Sequence, residues 1–260
     1  MSSQMLLVER QEGVCTLTLN RPQRRNALCP ELIDDLSQQL SSLAEGTERY
    51  VLVLRGIGEQ AFCSGHDLGE LVRSDVDTPP EEPLLQLYQS IRSYPYPVIA
   101  MIHGYAIGGG LGLAMACDLR ISADTGKFGM PQTRLGVIYP PIGLRDFINA
   151  IGLANTRHLF FTGRLINAQE AQRFGLVNEV VPAADLHDHV YALADTIASN
   201  APLALKGTKT ILNRLALPTE LTPAEEETFA AMRLHSFRSR DRLEAMVAFK
   251  EHRSPIFSGE

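Results

Sequence analysis

The chain has 260 residues, 45% of them hydrophobic and 21% charged, which suits one large domain or one domain with a small appendage. Its net charge of −6 argues against nucleic acid as a partner, and any bound anion must be held by local basic groups. No apolar run reaches the ~20 residues of a membrane span. No basic stretch followed by a long apolar core opens the chain, so no signal peptide is expected. The four cysteines are far apart, with no C-x-x-C and no metal-ligand spacing. Three of them sit in apolar surroundings, which suits reduced core thiols in a cytoplasmic protein.

Met5 to Arg10 and Gly13 to Leu19 alternate in polarity and predict a β-hairpin. The polar segment Asn20 to Leu28 carries three arginines and leads to Pro30, a good first-turn residue. A helix over about Pro30 to Leu43 places Leu32, Ile33, Leu36 and Leu40 on one face. Tyr50 to Leu54 is a continuous apolar strand of parallel-sheet type. Ala61 to Leu68 then gives a short strand that breaks at Gly65, with a helix starting near Asp67. Val72 to Pro83 is an acidic, proline-bearing loop. A helix from about Glu82 to Tyr94 follows.

The stretch Pro97 to Ala123 organises the rest: a strand, a glycine turn at Gly108-Gly109-Gly110, a buried apolar helix, and a second strand. Lys127 to Met130 is a further short strand, and helices are expected around Ile142 to Ala150 and Asn155 to Phe161. Asn167 caps a helix beginning at Ala168, and Gly175 to Val181 is the last strand. From Pro182 the chain is helical, over about Asp185 to Ser199, Pro202 to Leu215, Pro223 to Phe237 and Arg240 to His252. The fold class is α/β with a helical C-terminal part.

Two strand-to-helix turns recur, Gly65-His66 and Gly108-Gly109-Gly110. If their strands are neighbours, their bare N–H groups converge on one oxygen, as in an oxyanion hole. The same glycines also suit tight turns and close helix–sheet packing with no chemistry attached. A dinucleotide site fits less well, because G-x-G-x-x-G is missing and the turn lies mid-chain.

Motifs along nearly the whole chain resemble the crotonase (enoyl-CoA hydratase/isomerase) superfamily. They include Asn20-Arg21-Pro22 with Asn26-Ala27-Leu28, Ala61 to Leu68, His103 to Gly110, and Cys117 to Arg120. Phe128 to Pro131 with Leu135-Gly136, Phe161-Thr162-Gly163, Ala168 to Ala171, Gly175-Leu176-Val177 and the tail Phe249 to Phe257 also match. The resemblance implies a spiral of ββα units over residues 1–199 and a helical oligomerisation region over 200–260, in a homotrimer or hexamer. It implies an acyl-CoA thioester whose carbonyl is held by the amides of His66 and Gly109, with no cofactor beyond the coenzyme A of the substrate. It also places Arg24, Arg25, Ala27, Ser64, Gly65, Asp67 and Leu68 at the coenzyme A site, and brings His252 or Arg253 of the tail to its phosphates.

Two departures bear on the reaction. Hydratases of this superfamily carry a glutamate two residues past the third glycine and another right after the Phe-Gly-x-Pro motif. Those positions are Gly112 and Gln132 here, so the usual acid/base pair is missing. The string Ser64 to Leu71 with Gly136-Val137-Ile138-Tyr139 is similar to the methylmalonyl-CoA decarboxylase branch, although that branch too has a carboxylate at the place of Gly112. Decarboxylation needs no base to begin, and Tyr139 suits a group that orients the carboxylate or returns a proton. Gln132 suits a group that orients water or a carboxylate. Asp67 is expected to cap a helix, Asp118 to cap or pair with Arg120, and Arg145-Asp146 to line the acyl pocket or form a surface pair. Three functions follow: decarboxylation of a malonyl-type CoA, an atypical hydratase or isomerase using other groups, or a catalytically silent CoA-binding subunit.

Overall fold

The computed structural model describes residues 4–67, 82–216 and 222–256. Strands β1 (Leu6–Gln11) and β2 (Val14–Leu19) pair antiparallel through a turn at Gly13, as the alternation predicts. Helix α1 (Pro30–Glu45) carries the chain across to β3 (Val51–Gly56), which runs parallel to β2. Leu32, Ile33, Leu36, Leu40 and Leu43 of α1 are buried, as their helical spacing requires.

From β3 onward a unit repeats. Each pass lays one strand in a first sheet, turns tightly, and lays a short strand in a second sheet. β3, β5 (Val98–Ile102), β7 (Leu119–Ala123) and β10 (Glu179–Val181) join β1 and β2 in a six-stranded sheet, parallel from β2 onward. β4 (Ala61–Cys63), β6 (Tyr105–Ile107) and β8 (Lys127–Gly129) form the second sheet in parallel, closed by an antiparallel β9 (Ile166–Asn167). The turn between β5 and β6 can only be glycine. Gly104 has φ +58°, and a Cβ there would stand 2.0 Å from the Gln60 carbonyl oxygen.

The helices pack around these sheets: α2 (Glu82–Ser93), α3 (Gly109–Ala116), α4 (Pro141–Thr162), α5 (Ala168–Phe174) and α6 (Leu186–Ala198). Then come α7 (Pro202–Leu215), α8 (Pro223–Phe237) and α9 (Arg240–Lys250). All eight residues of α3 are buried, as befits a helix that is apolar all round. It lies so close to β4 that a Cβ at Gly110 would meet the Cys63 carbonyl oxygen at 2.2 Å. The outer face of the large sheet (Val53, Ile99, Met101, Ile121) is covered by Leu186, Val190 and Ala194 of α6. Both faces are therefore buried, and this is why the parallel strands read as unbroken apolar runs. Among the described residues no helix is long and apolar enough to cross a membrane.

Several local expectations change. The two helices expected around residues 142–161 form one span, α4, broken at Gly152, whose φ of +71° and ψ of 163° are not helical. The last strand is shorter than expected. Gly175 instead ends α5 in the left-handed conformation, and pairing begins only at Glu179. Strand β9 was not expected, because two residues carry no legible alternation. Asn167 does cap α5, accepting the Glu170 N–H at 2.8 Å. Asp118 does not bond Arg120. Its Oδ2 accepts from the Val98 N–H at 2.7 Å and from Lys209 of α7 at 2.6 Å. Arg120 turns to the carbonyls of Leu176 and Cys117. Asp146 pairs with Arg92 of α2 rather than lining a pocket. The acidic loop falls outside the described residues, except for Glu82-Pro83, which open α2.

Candidate active site

The site grows from the contact between two turns. β4 and β6 are parallel neighbours, so the turns that follow them lie side by side. Gly65 has φ +93°, and a Cβ there would stand 2.8 Å from the Ile107 carbonyl oxygen and 3.3 Å from the Gly109 nitrogen. Gly109 opens α3, so its N–H belongs to the unsatisfied first turn. Neither the His66 nor the Gly109 N–H has a backbone acceptor among the described residues. Two N–H groups without a backbone acceptor thus lie in adjoining turns.

The polar segment after β2 is stitched along the first turn. The Ser64 N–H donates to the Arg25 carbonyl, the Leu28 N–H to the Gly65 carbonyl, and the Asp67 N–H to the Leu28 carbonyl, at 2.8–3.1 Å. Asn26, buried and at φ +55°, anchors this segment by donating to the Ala61 carbonyl at 2.7 Å. Asp67 is held by Arg21 at 3.0 Å. The helix it was expected to cap lies outside the described residues, as does Leu68.

These elements border a cleft of about 840 Å³. Arg24, Arg25, Ala27, Ser64, Gly65, His66, Asp67, Gly109, Gln132 and Tyr139 all line it. His252 does not. It is exposed, and its neighbour Arg253 reaches the cleft instead, paired with Glu244 and Glu251. Among the described lining residues Asp67 is the only acid, against arginines 24, 25, 134, 242 and 253. Among the described residues no group of three or more His, Cys, Asp or Glu side chains is placed to hold a metal ion.

Burial lowers the His66 pKa to about 4, so the imidazole is neutral near pH 7. Its Nε2 is buried with no hydrogen-bond partner. Its ring stands beside Gly109, with Nδ1 3.2 Å from where a Cβ would be. The Gln132 Oε1 is likewise buried without a partner.

Position 112 explains itself sterically. A Cβ on Gly112 would stand 2.3 Å from the Tyr139 hydroxyl oxygen and 2.5 Å from that of Tyr88. Gly143 makes room for the same ring, since a Cβ there would lie 2.3 Å from Tyr139 Cε1. Phe147 and Phe160 pack against that ring, with centroids at 6.3 and 5.5 Å. Tyr88 donates to the Gly109 carbonyl at 2.6 Å. Sequence reasoning passed over Tyr88, because with Leu84, Leu87 and Ile91 it reads as the buried stripe of α2. The only signal was a hydroxyl on that stripe, which had to find a partner.

The profile of the enoyl-CoA hydratase/isomerase family matches residues 9–260. The chain belongs to this family. Within it, a putative enoyl-CoA hydratase/isomerase of Bacillus subtilis, YngF, is 34% identical over the full length of both chains. The 2,3-dehydroadipyl-CoA hydratase of Escherichia coli is 33% identical over 98% of each. Among solved structures, methylmalonyl-CoA decarboxylase complexed with 2S-carboxypropyl CoA superimposes with a TM-score of 0.93 at 34% identity, covering 100% of both chains. An enoyl-CoA hydratase/carnithine racemase from Magnetospirillum magneticum gives 0.78 at 32%, covering 100% of this chain and 97% of that one. The family's α/β crotonase fold and the likeness to the decarboxylase branch are thus as expected.

Proposed function

We propose that this family member decarboxylates a malonyl-type acyl-CoA thioester. One observation carries the reading: the only acid among the described lining residues is Asp67, already paired with Arg21, and tyrosine hydroxyls fill the space beside Gly112. Hydration and isomerisation need a base and an acid at the acyl chain. Decarboxylation needs neither to begin.

In this reading the arginine-rich rim takes the phosphates of coenzyme A. The His66 and Gly109 N–H groups take the thioester oxygen. The bond from the α-carbon to the carboxylate breaks, its electron pair enters the enolate, and the negative charge gathers on that oxygen. Each preorganised donor contributes about 3 kcal/mol at such a point. Tyr139 holds the carboxylate out of the thioester plane until it leaves as CO2, and the α-carbon of the enolate then takes a proton from the Tyr139 hydroxyl, which solvent water restores. Gln132 orients the acyl group or a water. The α7 and α9 residues Leu203, Ile211, Leu212, Leu215, Leu243 and Phe249 are exposed, which supports residues 200–260 as the oligomerisation region of a homotrimer or hexamer. Four buried, unpaired cysteines fit a reducing cytoplasm.

The test is a spectrophotometric comparison of malonyl-, methylmalonyl- and ethylmalonyl-CoA with crotonyl-CoA. Decarboxylation without rapid hydration is expected. Rapid hydration of crotonyl-CoA alone gives the hydratase reading, and binding with no turnover of any thioester gives the silent subunit.

A further inference from the structure

The mechanism above uses the backbone N–H of His66 and leaves its imidazole idle. That ring lines the cleft, and burial keeps it neutral near pH 7. A neutral imidazole has one proton for two nitrogens. Nε2 is sealed from solvent and has no partner. A proton on Nε2 would make it a buried donor with nothing to receive it, which is a rarer arrangement than a bare buried acceptor. The proton therefore belongs on Nδ1, leaving only a lone pair on the sealed side.

Nδ1 is also the nitrogen that lies by the second turn. It stands 3.2 Å from where a Gly109 Cβ would be. That point is one tetrahedral carbon, roughly 2.5 Å, from the Gly109 nitrogen. The two nitrogens are thus at most about 5.7 Å apart, a gap that one oxygen bonded to both at about 2.9 Å can span. Leu84 of α2 flanks the place, with Cδ2 3.1 Å from the same point, and an apolar wall strengthens a hydrogen bond made beside it. We propose that the His66 Nδ1–H is a third donor to the thioester oxygen, beside the backbone N–H groups of His66 and Gly109. The imidazole keeps its proton throughout. It bonds the oxygen more strongly as negative charge gathers there, since a neutral imidazole can polarise a carbonyl without protonating it. Because ring and amide belong to one residue, the turn at Gly65 aims both. His66 is then a catalytic residue through its side chain as well as its backbone. The inference rests on the reading that an acyl-CoA thioester oxygen occupies the two turns, and not on which reaction follows.

The test uses the full-length protein with carbonyl-labelled acetyl-CoA. Nitrogen-15 NMR of labelled histidines, with His66 assigned by its loss in His66→Asn, is expected to show the proton on Nδ1. Isotope-edited infrared spectra are expected to show the bound carbonyl stretch below that of free acetyl-CoA. His66→Leu should return it part of the way. His66→Asn, whose amide nitrogen can take the place of Nδ1, should hold it near the wild-type value, and His66→Gln, whose amide reaches the place of Nε2, should behave like leucine. On whichever thioester turns over, His66→Leu should lower kcat about 10- to 100-fold with KM little changed, less than the loss of a backbone donor because two donors remain. A proton on Nε2, a stretch and kcat unchanged in His66→Leu, or an asparagine variant as impaired as leucine overturns the third donor. Should His66→Leu fail to fold, the wild-type tautomer and the contrast between asparagine and glutamine decide. A wild-type protein that lowers the stretch through His66 but releases no CO2 from any malonyl-type thioester removes the decarboxylase reading and leaves the third donor standing.

Discussion

Gly112 and Tyr139 occupy one place in the molecule: a Cβ added to Gly112 would stand 2.3 Å from the Tyr139 hydroxyl oxygen. The space that a side chain at 112 would need is filled by that hydroxyl here. Alanine normally stabilises a helix interior over glycine by about 0.5–1 kcal/mol. Gly112→Ala is expected to reverse that sign and cost about 1–3 kcal/mol through overpacking. The same substitution in a Tyr139→Phe background should cost less. Urea denaturation of the four proteins measures this, and equal costs in both backgrounds would show that the contact is not the cause.

The contact between the two turns makes a second prediction. Gly65→Ala puts a methyl 2.8 Å from the Ile107 carbonyl oxygen at a φ of +93°, which must push the His66 and Gly109 donors apart. Loss of one oxyanion donor costs about 100- to 1,000-fold in kcat. That range is expected for Gly65→Ala on whichever thioester turns over, with little change in KM. Gly58→Ala is the control, since Gly58 has φ +76° but nothing within 4 Å of its added Cβ. It should lose some stability and keep its kcat.

Stability should depend on pH through two buried histidines. Burial holds the pKa of both His66 and His103 at about 4, against an ordinary value of 6.5, and Arg55 adds to the effect at His103. The unfolded chain binds these protons first as pH falls. Their contribution is therefore complete above pH 6.5 and is lost between 6.5 and 4. For His66 the span corresponds to about 3 kcal/mol. His66→Gln should flatten the fall of denaturation free energy over that window, and His103→Gln should flatten it further. A wild-type profile that is level from pH 6.5 to 4 would remove the argument.

One buried ammonium ties α7 to the large sheet. The Lys209 Nζ donates to Asp118 Oδ2 at 2.6 Å and to the Tyr96 carbonyl at 3.0 Å, while only 7% of its side chain is exposed. Asp118 is more open, which tempers the cost of leaving it unpaired. Lys209→Met is expected to lose about 1–3 kcal/mol and to speed amide exchange in α7 ahead of the rest of the chain. Asp118→Asn combined with Lys209→Met should recover part of the loss. Hydrogen exchange that rises uniformly, with α7 no faster than the sheet, would show that the pair does not hold the helix.

Local chemistry made much of this protein legible before any coordinate. The β1–β2 hairpin follows from alternation across a glycine, and α1 from leucines at helical spacing after a proline. The parallel strands follow from apolar runs too short for helices, and the two strand-to-helix turns from glycines at strand ends. Each is a property of neighbours in the chain, and periodicity records such properties. The absence of the two hydratase glutamates, at Gly112 and Gln132, was legible only through the motifs that the chain shares with the crotonase superfamily. The tertiary structure alone decided what filled the space beside Gly112, because Tyr88 and Tyr139 come from two different passes of the spiral. It alone gave Asp118 to Lys209, 91 residues on, rather than to Arg120 two residues away. It also put Arg253, not His252, at the cleft. A hydrogen bond or a close contact between distant residues is set by where the packed strands and helices deliver the side chains, and no spacing along the sequence carries that information.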